Sequence, residues 1–299
     1  MLQRLSAGGP ISITVDGRSA ATRRGLRTVQ LVLTVSSSYK YAVIGDNDLK
    51  ISSGGTDSYD SDVGAYGGGN VGTNGDIRSN GTISQLSGSS YITGDATVVG
   101  SITVSQCGHV HTGTCQGGQA ADPMPDATCP AGYSPASDVP ISAGVTYNAL
   151  TGVLLVSGGS AVVTLDYAHT PYRFSNLTLQ GGATLTFQGT PQHVDLYVSG
   201  VLSTSGGSVV NPTSKPINLT IWGCGANTSN WVMSGGTGAY FAVYAPNHQT
   251  TVSGGGAIYG ALMVGSLVNS GGSWIHYDEA LGRTSVPTLV PGSWAEVPH

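Results

Sequence analysis

From Tyr41 onward the chain is built of short apolar touches separated by Gly, Asn, Asp or Ser, as in VGTNGD, IRSNGT, ISQLSG, SYITGD, ATVVGS and ITVS, with Val71, Ile77 and Ile83 six apart. Segments this short are strands, and each gives a core only a few inward side chains. A parallel β-solenoid is the architecture that uses such units, because each turn of chain covers the next. Gly and Asn take the left-handed bends between them. The pattern returns after residue 141 in VTYNALTGVLLVSGGSAVVTL, FSNLTLQGGATLTFQG, VDLYVSGVLSTSGGSVV and TTVSGGGAIYGALMVGSLVNSGG.

Composition agrees. Gly supplies 46 of 299 residues and charged residues only 9%, against an ordinary share of about 7% and about 25%. Two Glu and three Lys leave few helix formers, so the propensities favour strands and turns. The expected fold is all-β, a right-handed parallel β-helix with a short N-terminal β-strand module, and a β-sandwich is the runner-up. The expected division is 1–40, an N-terminal module carrying strands at 11–15 and 29–35; 41–106, the first solenoid coils; 107–140, a Cys- and Pro-rich insertion or crossover loop; 141–281, the main solenoid; and 282–299, an extended tail.

The net charge is −5, and only Arg173, Lys215 and Arg283 are basic beyond position 78. No basic stripe for nucleic acid exists there, and Arg18, Arg23, Arg24 and Arg27 read as the charged face of a hairpin. No run of about 18 apolar residues spans a membrane, and the start carries no export signal.

Cys107, His109, His111 and Cys115 offer nitrogen and sulfur ligands, but their spacing is poor for a zinc tetrahedron. A disulfide is the plainer reading, with Cys107, Cys115 and Cys129 as candidates and Cys107–Cys115 as the local pairing. Cys224, in LTIWGCG, reads equally as a buried free thiol. Asp46, Asp48, Asp57, Asp60 and Asp62 are oxygen ligands that leave calcium open as a cofactor, without the glycine and glutamate of a helix-loop-helix site. Otherwise no cofactor is expected. No catalytic residue is assigned: carboxylates are scattered, and no nucleophile elbow, phosphate loop or HExxH occurs. The exposed-aromatic alternative rests on Tyr240, Tyr244, Tyr259, Trp274 and Tyr277 as stacking platforms for carbohydrate. HYDE, 276–279, is expected to end the solenoid and meet water, with Ile258, Leu262, Val264 and Leu267 pointing inward.

YAVIGDNDLKISSGGTDSYDSDVGAYGGG, NGDIRSNG, FSNLTLQGGATLTFQG, VDLYVSGVLSTSGG and FAVYAPNHQTTVSGGGAIYGALMVGSLVNSGGSWIHYDEAL together resemble the β-solenoid domain of PilX-like pilus-assembly proteins, over roughly residues 28–281. The resemblance implies a bacterial surface or extracellular protein of a type IV pilus-like system, with no catalytic residues to carry over. A family-type prepilin helix is not present in this chain. The resulting expectation is a non-catalytic structural protein, either pilus-associated or a self-assembling filament subunit and adhesive scaffold. Its partners are then further copies of itself or pilus and envelope components. A β-helix that binds or cleaves a surface polysaccharide is the alternative.

Overall fold

The computed structural model describes residues 2–4, 11–17, 27–36, 39–225, 228–234, 238–283 and 286–297, with side chains from 39 to 283. Two compact units emerge, one from Met1–Lys40 with Gly282–His299 and one from Tyr41–Leu281. The first is a four-stranded antiparallel sheet in the order Leu2–Arg4, Ile11–Gly17, Arg27–Ser36, Val286–Val297. The tail is thus a strand rather than merely extended chain, with Leu289 opposite Leu33 and Glu296 opposite Val29. Arg18, Arg23 and Arg24 lie outside the described residues, and Arg27 opens its strand.

The second unit is all-β and dominated by one large mixed sheet. Most of its pairs are parallel and in register, unlike the antiparallel pairs of a sandwich. At one end Val145–Asn148 lies antiparallel to Val153–Ser157. Asn176–Gln180, Leu202–Ser203, Asn230–Ser234, Tyr240–Ser253, Ala257–Asn269 and Trp274–Asp278 follow in parallel. The order then jumps back in sequence. Val43–Tyr59 pairs with both Ala257–Asn269 and Trp274–Asp278, and Ile77–Ser79, Ala96–Val98 and Cys115–Gln116 complete the path. The early stretch therefore continues the late one. A second parallel sheet runs Val162–Asp166, Thr184–Gln188, Ser208–Val209.

The core follows from alternation within these short strands. Leu154 and Val156, then Leu177 and Leu179, then Leu202 form columns on one sheet, while Val163, Leu165, Leu185, Phe187 and Val209 come from the other, all buried. Ile258, Leu262, Val264 and Leu267 are likewise fully inside. Rung-to-rung side chains support the columns: Asp76 Oδ1 accepts from Asp95 N at 2.7 Å, and Asp95 Oδ1 accepts from Thr114 N at 2.6 Å. Gly260 sits mid-strand at φ +140, where a Cβ would lie 1.9 Å from the Phe241 carbonyl oxygen. Only glycine lets those two backbones approach.

Because the early stretch is stacked beyond the late one, the chain must travel back along the unit between residues 117 and 144. Its polar groups record the route. Gln119 N donates to Val98 O, Asp122 and Asn80 exchange two hydrogen bonds, Tyr244 Oη donates to Pro125 O at 2.7 Å, and Tyr147 Oη donates to Ser134 O. These anchors run from one end of the large sheet to the other. Cys129–Cys224 fixes this return strap covalently near its middle, and Cys107–Cys115 closes the short helical turn Val104–Cys107 at the sheet's end. Cys224 is therefore no free thiol. Its apolar run hid a bond to a partner 95 positions away.

Candidate functional site

The junction between the two stretches carries a row of side chains on neighbouring parallel strands. Tyr240 is opposite Tyr259, Tyr259 opposite His276, and His276 opposite Asp57. In-register pairing brings their rings together: Tyr240 on Tyr259 at 4.5 Å between centroids, and Tyr259 on His276 at 4.9 Å. The next row, two residues earlier in each strand and on the same face, reads Ala257, Trp274, Gly55, Tyr91. Gly55 is required by crowding. A Cβ there would meet the Tyr91 carbonyl oxygen at 2.0 Å and the Trp274 ring at 3.2 Å.

A loop after Val43–Tyr59 folds Tyr66 over this face. Asn70 Nδ2 donates to the carbonyls of Asp60, Gly64 and Ala65, and Asp60 N donates to Asn70 Oδ1. Asp278 anchors the base of the loop: its carboxylate accepts from Ser61 N at 2.9 Å, Ser61 Oγ at 2.7 Å and Ala280 N at 3.1 Å. Glu279 adds bonds from Ser58 Oγ and Asn74 Nδ2. The Tyr66 ring then lies 3.8 Å from that of His276, and its hydroxyl donates to Asp57 Oδ2 at 2.6 Å.

His276 Nδ1 donates to the other Asp57 oxygen at 2.5 Å, with the two side chains only 8% and 9% exposed. The carboxylate thus holds the imidazole in one orientation and directs Nε2 away from it. Burial, then the Asp57 carboxylate, raise the Tyr66 phenol well above its ordinary pKa and keep it a donor. Among the described residues no hydroxyl or thiol is hydrogen-bonded to His276, so the pair lacks the nucleophile of a triad. An open cleft of about 360 Å³ adjoins it, walled by Asp57, Tyr66, His276 and Trp274, with Ala257 and the Gly255–Gly256 backbone as floor.

Sequence reasoning placed Trp274 and Tyr259 among the candidate platforms, and both are half-buried here, Trp274 in the cleft and Tyr259 inside the ring row. Tyr244 and Tyr277 are buried, at 6% and 5% exposure, and cannot serve as open platforms. Tyr244 spends its hydroxyl on the strap. HYDE is not a water-facing terminus either: Trp274–Asp278 is covered by Val43–Tyr59, and His276, Tyr277 and Asp278 are buried.

The zinc reading of the loop fails because Cys107 and Cys115 are joined to each other. His109 Nδ1 lies 3.2 Å from Ser90 O, and His111 stacks on Tyr91 at 3.6 Å. Among the described residues no group of three His, Cys, Asp or Glu side chains is placed to hold a metal ion. The aspartates considered for calcium are engaged by other protein groups: Asp46 accepts from Asn80, Asp48 from Thr82 and Ser84, Asp57 from His276 and Tyr66, Asp60 from the Asp62 backbone N–H, and Asp62 from Lys215.

A family model matches part of the chain. It is described as a domain of unknown function, DUF7305, and covers residues 155–284. That span contains Trp274 and His276 but not Asp57 and Tyr66, the partners of His276. No curated protein and no solved structure matches the chain.

Proposed function

We propose that the chain is a non-catalytic structural protein of the bacterial cell surface, a right-handed parallel β-solenoid serving as a rigid pilus-associated scaffold. The observation that carries this reading is the parallel stacking of the two stretches into one continuous sheet whose path ends on short strands. One end is the four-residue antiparallel strand Val145–Asn148, and the other is the two-residue strand Cys115–Gln116 next to a disulfide. Along that path such short edges give a further copy little to pair with, while Thr82–Ile92 and Val162–Asp166, each paired on one side, are the longer edges a second copy would use. The two disulfides support an oxidising, extracytoplasmic setting. The resemblance of residues 28–281 to PilX-like proteins supplies the association with pili.

Two measurements test the proposal. Purified protein at high concentration, viewed by negative stain, is expected as uniform compact particles; regular filaments would replace the scaffold with a polymer subunit. Fractionation of the producing bacterium is expected to place the protein with envelope or pilus material, oxidised at all four cysteines. Recovery in the cytoplasm with free thiols overturns the assignment, and release of reducing ends from polysaccharides overturns its non-catalytic part.

A further inference from the structure

We infer that the cleft beside Trp274 binds a neutral oligosaccharide. This goes beyond the scaffold reading and does not depend on it. Trp274 is flanked in its row by Ala257 on one side and Gly55 on the other. Residues that small leave the indole without a large side chain from either neighbouring strand, beside a floor of glycine backbone. A flat ring with apolar C–H faces fits such a surface, and aromatic side chains with one wet edge serve as platforms of this kind.

The polar wall suits the hydroxyls of the same ligand. Tyr66, Asp57 and His276 form one hydrogen-bonded chain whose geometry is fixed before anything binds. It presents the remaining lone pairs of a carboxylate and one free imidazole nitrogen, a mixture of acceptor and donor capacity. Mostly apolar walls with a few converging polar groups are the general anatomy of a small-molecule site. Among the described residues no Lys or Arg lines the cleft, so an acidic sugar would meet Asp57 without a lysine or arginine counter-charge. Past Gly55 the aromatic surface continues, with Tyr91 at 6.2 Å from Trp274, 42% exposed, and stacked on exposed His111. That run extends the platform over successive strands and favours an oligomer over a single sugar.

Calorimetric titration of the intact chain with a panel of neutral oligosaccharides, including maltotriose, cellotriose and chitotriose, tests the site. At least one is expected to bind, and Trp274→Ala to weaken it about tenfold or more, the scale expected of a central aromatic anchor. Ala257→Phe fills the cleft without deleting any polar group, and is expected to abolish binding while thermal melting stays cooperative. This variant decides the matter if W274A does not fold. Trp222→Phe, on the strand Leu219–Gly223 outside the cleft, is expected to bind as wild type. The inference is overturned if no neutral saccharide binds, if A257F binds normally, or if the cleft takes tetramethylammonium or polygalacturonate in place of neutral sugars.

Discussion

Replacing Cys129 and Cys224 together by alanine removes the one covalent tie between the return strap and the sheet it crosses. The two disulfide loops do not overlap, since one closes 107–115 and the other 129–224, so their effects on the unfolded chain are independent. With separations of 95 and 8 residues, the chain-entropy relation gives about 4.7 kcal/mol for the strap bond and about 2.5 kcal/mol for the local one. Alanine is the right replacement because Cys224 is fully buried, and a serine hydroxyl there would need a partner. In a unit of this size each kcal/mol moves the midpoint by about 2–4 °C. The expected losses are therefore about 9–19 °C for C129A/C224A and about 5–10 °C for C107A/C115A. Thermal unfolding followed by near-ultraviolet circular dichroism reads both, with peptide mapping to verify the surviving bond. A strap variant as stable as wild type, or less affected than the local one, would refute the argument that the strap closes the unfolded chain's largest loop.

Other perturbations separate backbone, protonation and packing. Gly260→Ala places a methyl against the Phe241 carbonyl, and a loss of about 3 kcal/mol is expected from the backbone shift it forces; a denaturant midpoint within error of wild type contradicts the close approach. His248 is fully buried and stacked on Trp231, and burial lowers its pKa below 6.5. Below that pH the unfolded chain binds a proton that the folded chain refuses, so stability falls as pH drops through the window down to the lowered value. His248→Phe is expected to flatten that slope, and an unchanged slope assigns it to other groups. Asp278 is shifted the other way, its carboxyl raised above 3.8 chiefly by burial. The folded form then holds its proton longer, so this residue's contribution to stability declines as pH rises from about 3.8 to the raised value. Wild type measured against Asp278→Asn is expected to lose ground across that window, and a difference independent of pH contradicts the assignment.

The strands were legible because their cause is local. Alternation in VLLVS, NLTLQ and TLTFQ marks which residues face inward, and Leu154, Leu177 and Leu185 are all at zero exposure. Cys107–Cys115 was within reach for the same reason, since eight residues separate its ends. Cys129–Cys224 was not, because nothing in an apolar run such as LTIWGCG names a partner from a distant proline-rich segment. In the sequence Asp57 reads only as a possible calcium ligand and Tyr66 not as a site residue, for a related reason: they belong to a chain segment distant from His276, Asp57 by 219 positions. One signal was available. Gly75-Asp76, Gly94-Asp95 and Gly113-Thr114 recur every 19 residues, and Asp95 and Thr114 each donate a backbone N–H to the aspartate 19 positions earlier. The early stretch could have been aligned on itself by that repeat, and its open end would then have needed a neighbour.

That neighbour is the end of the late stretch, and the consequence reaches both errors about HYDE. A stack whose last strand is also an interior strand has no terminus there to face water. The polar residues of 276–279 are instead spent inside the junction, His276 on Asp57, Asp278 on Ser61 and Glu279 on Ser58 and Asn74. Each of these bonds joins the first stretch to the last one. A buried polar group left without its partner costs its full desolvation, so these three residues favour this pairing of stretches over alternatives in which any other strand covers Trp274–Asp278. The same specificity positions Tyr66 and Asp57 beside Trp274, so the cleft exists only once the two stretches have met.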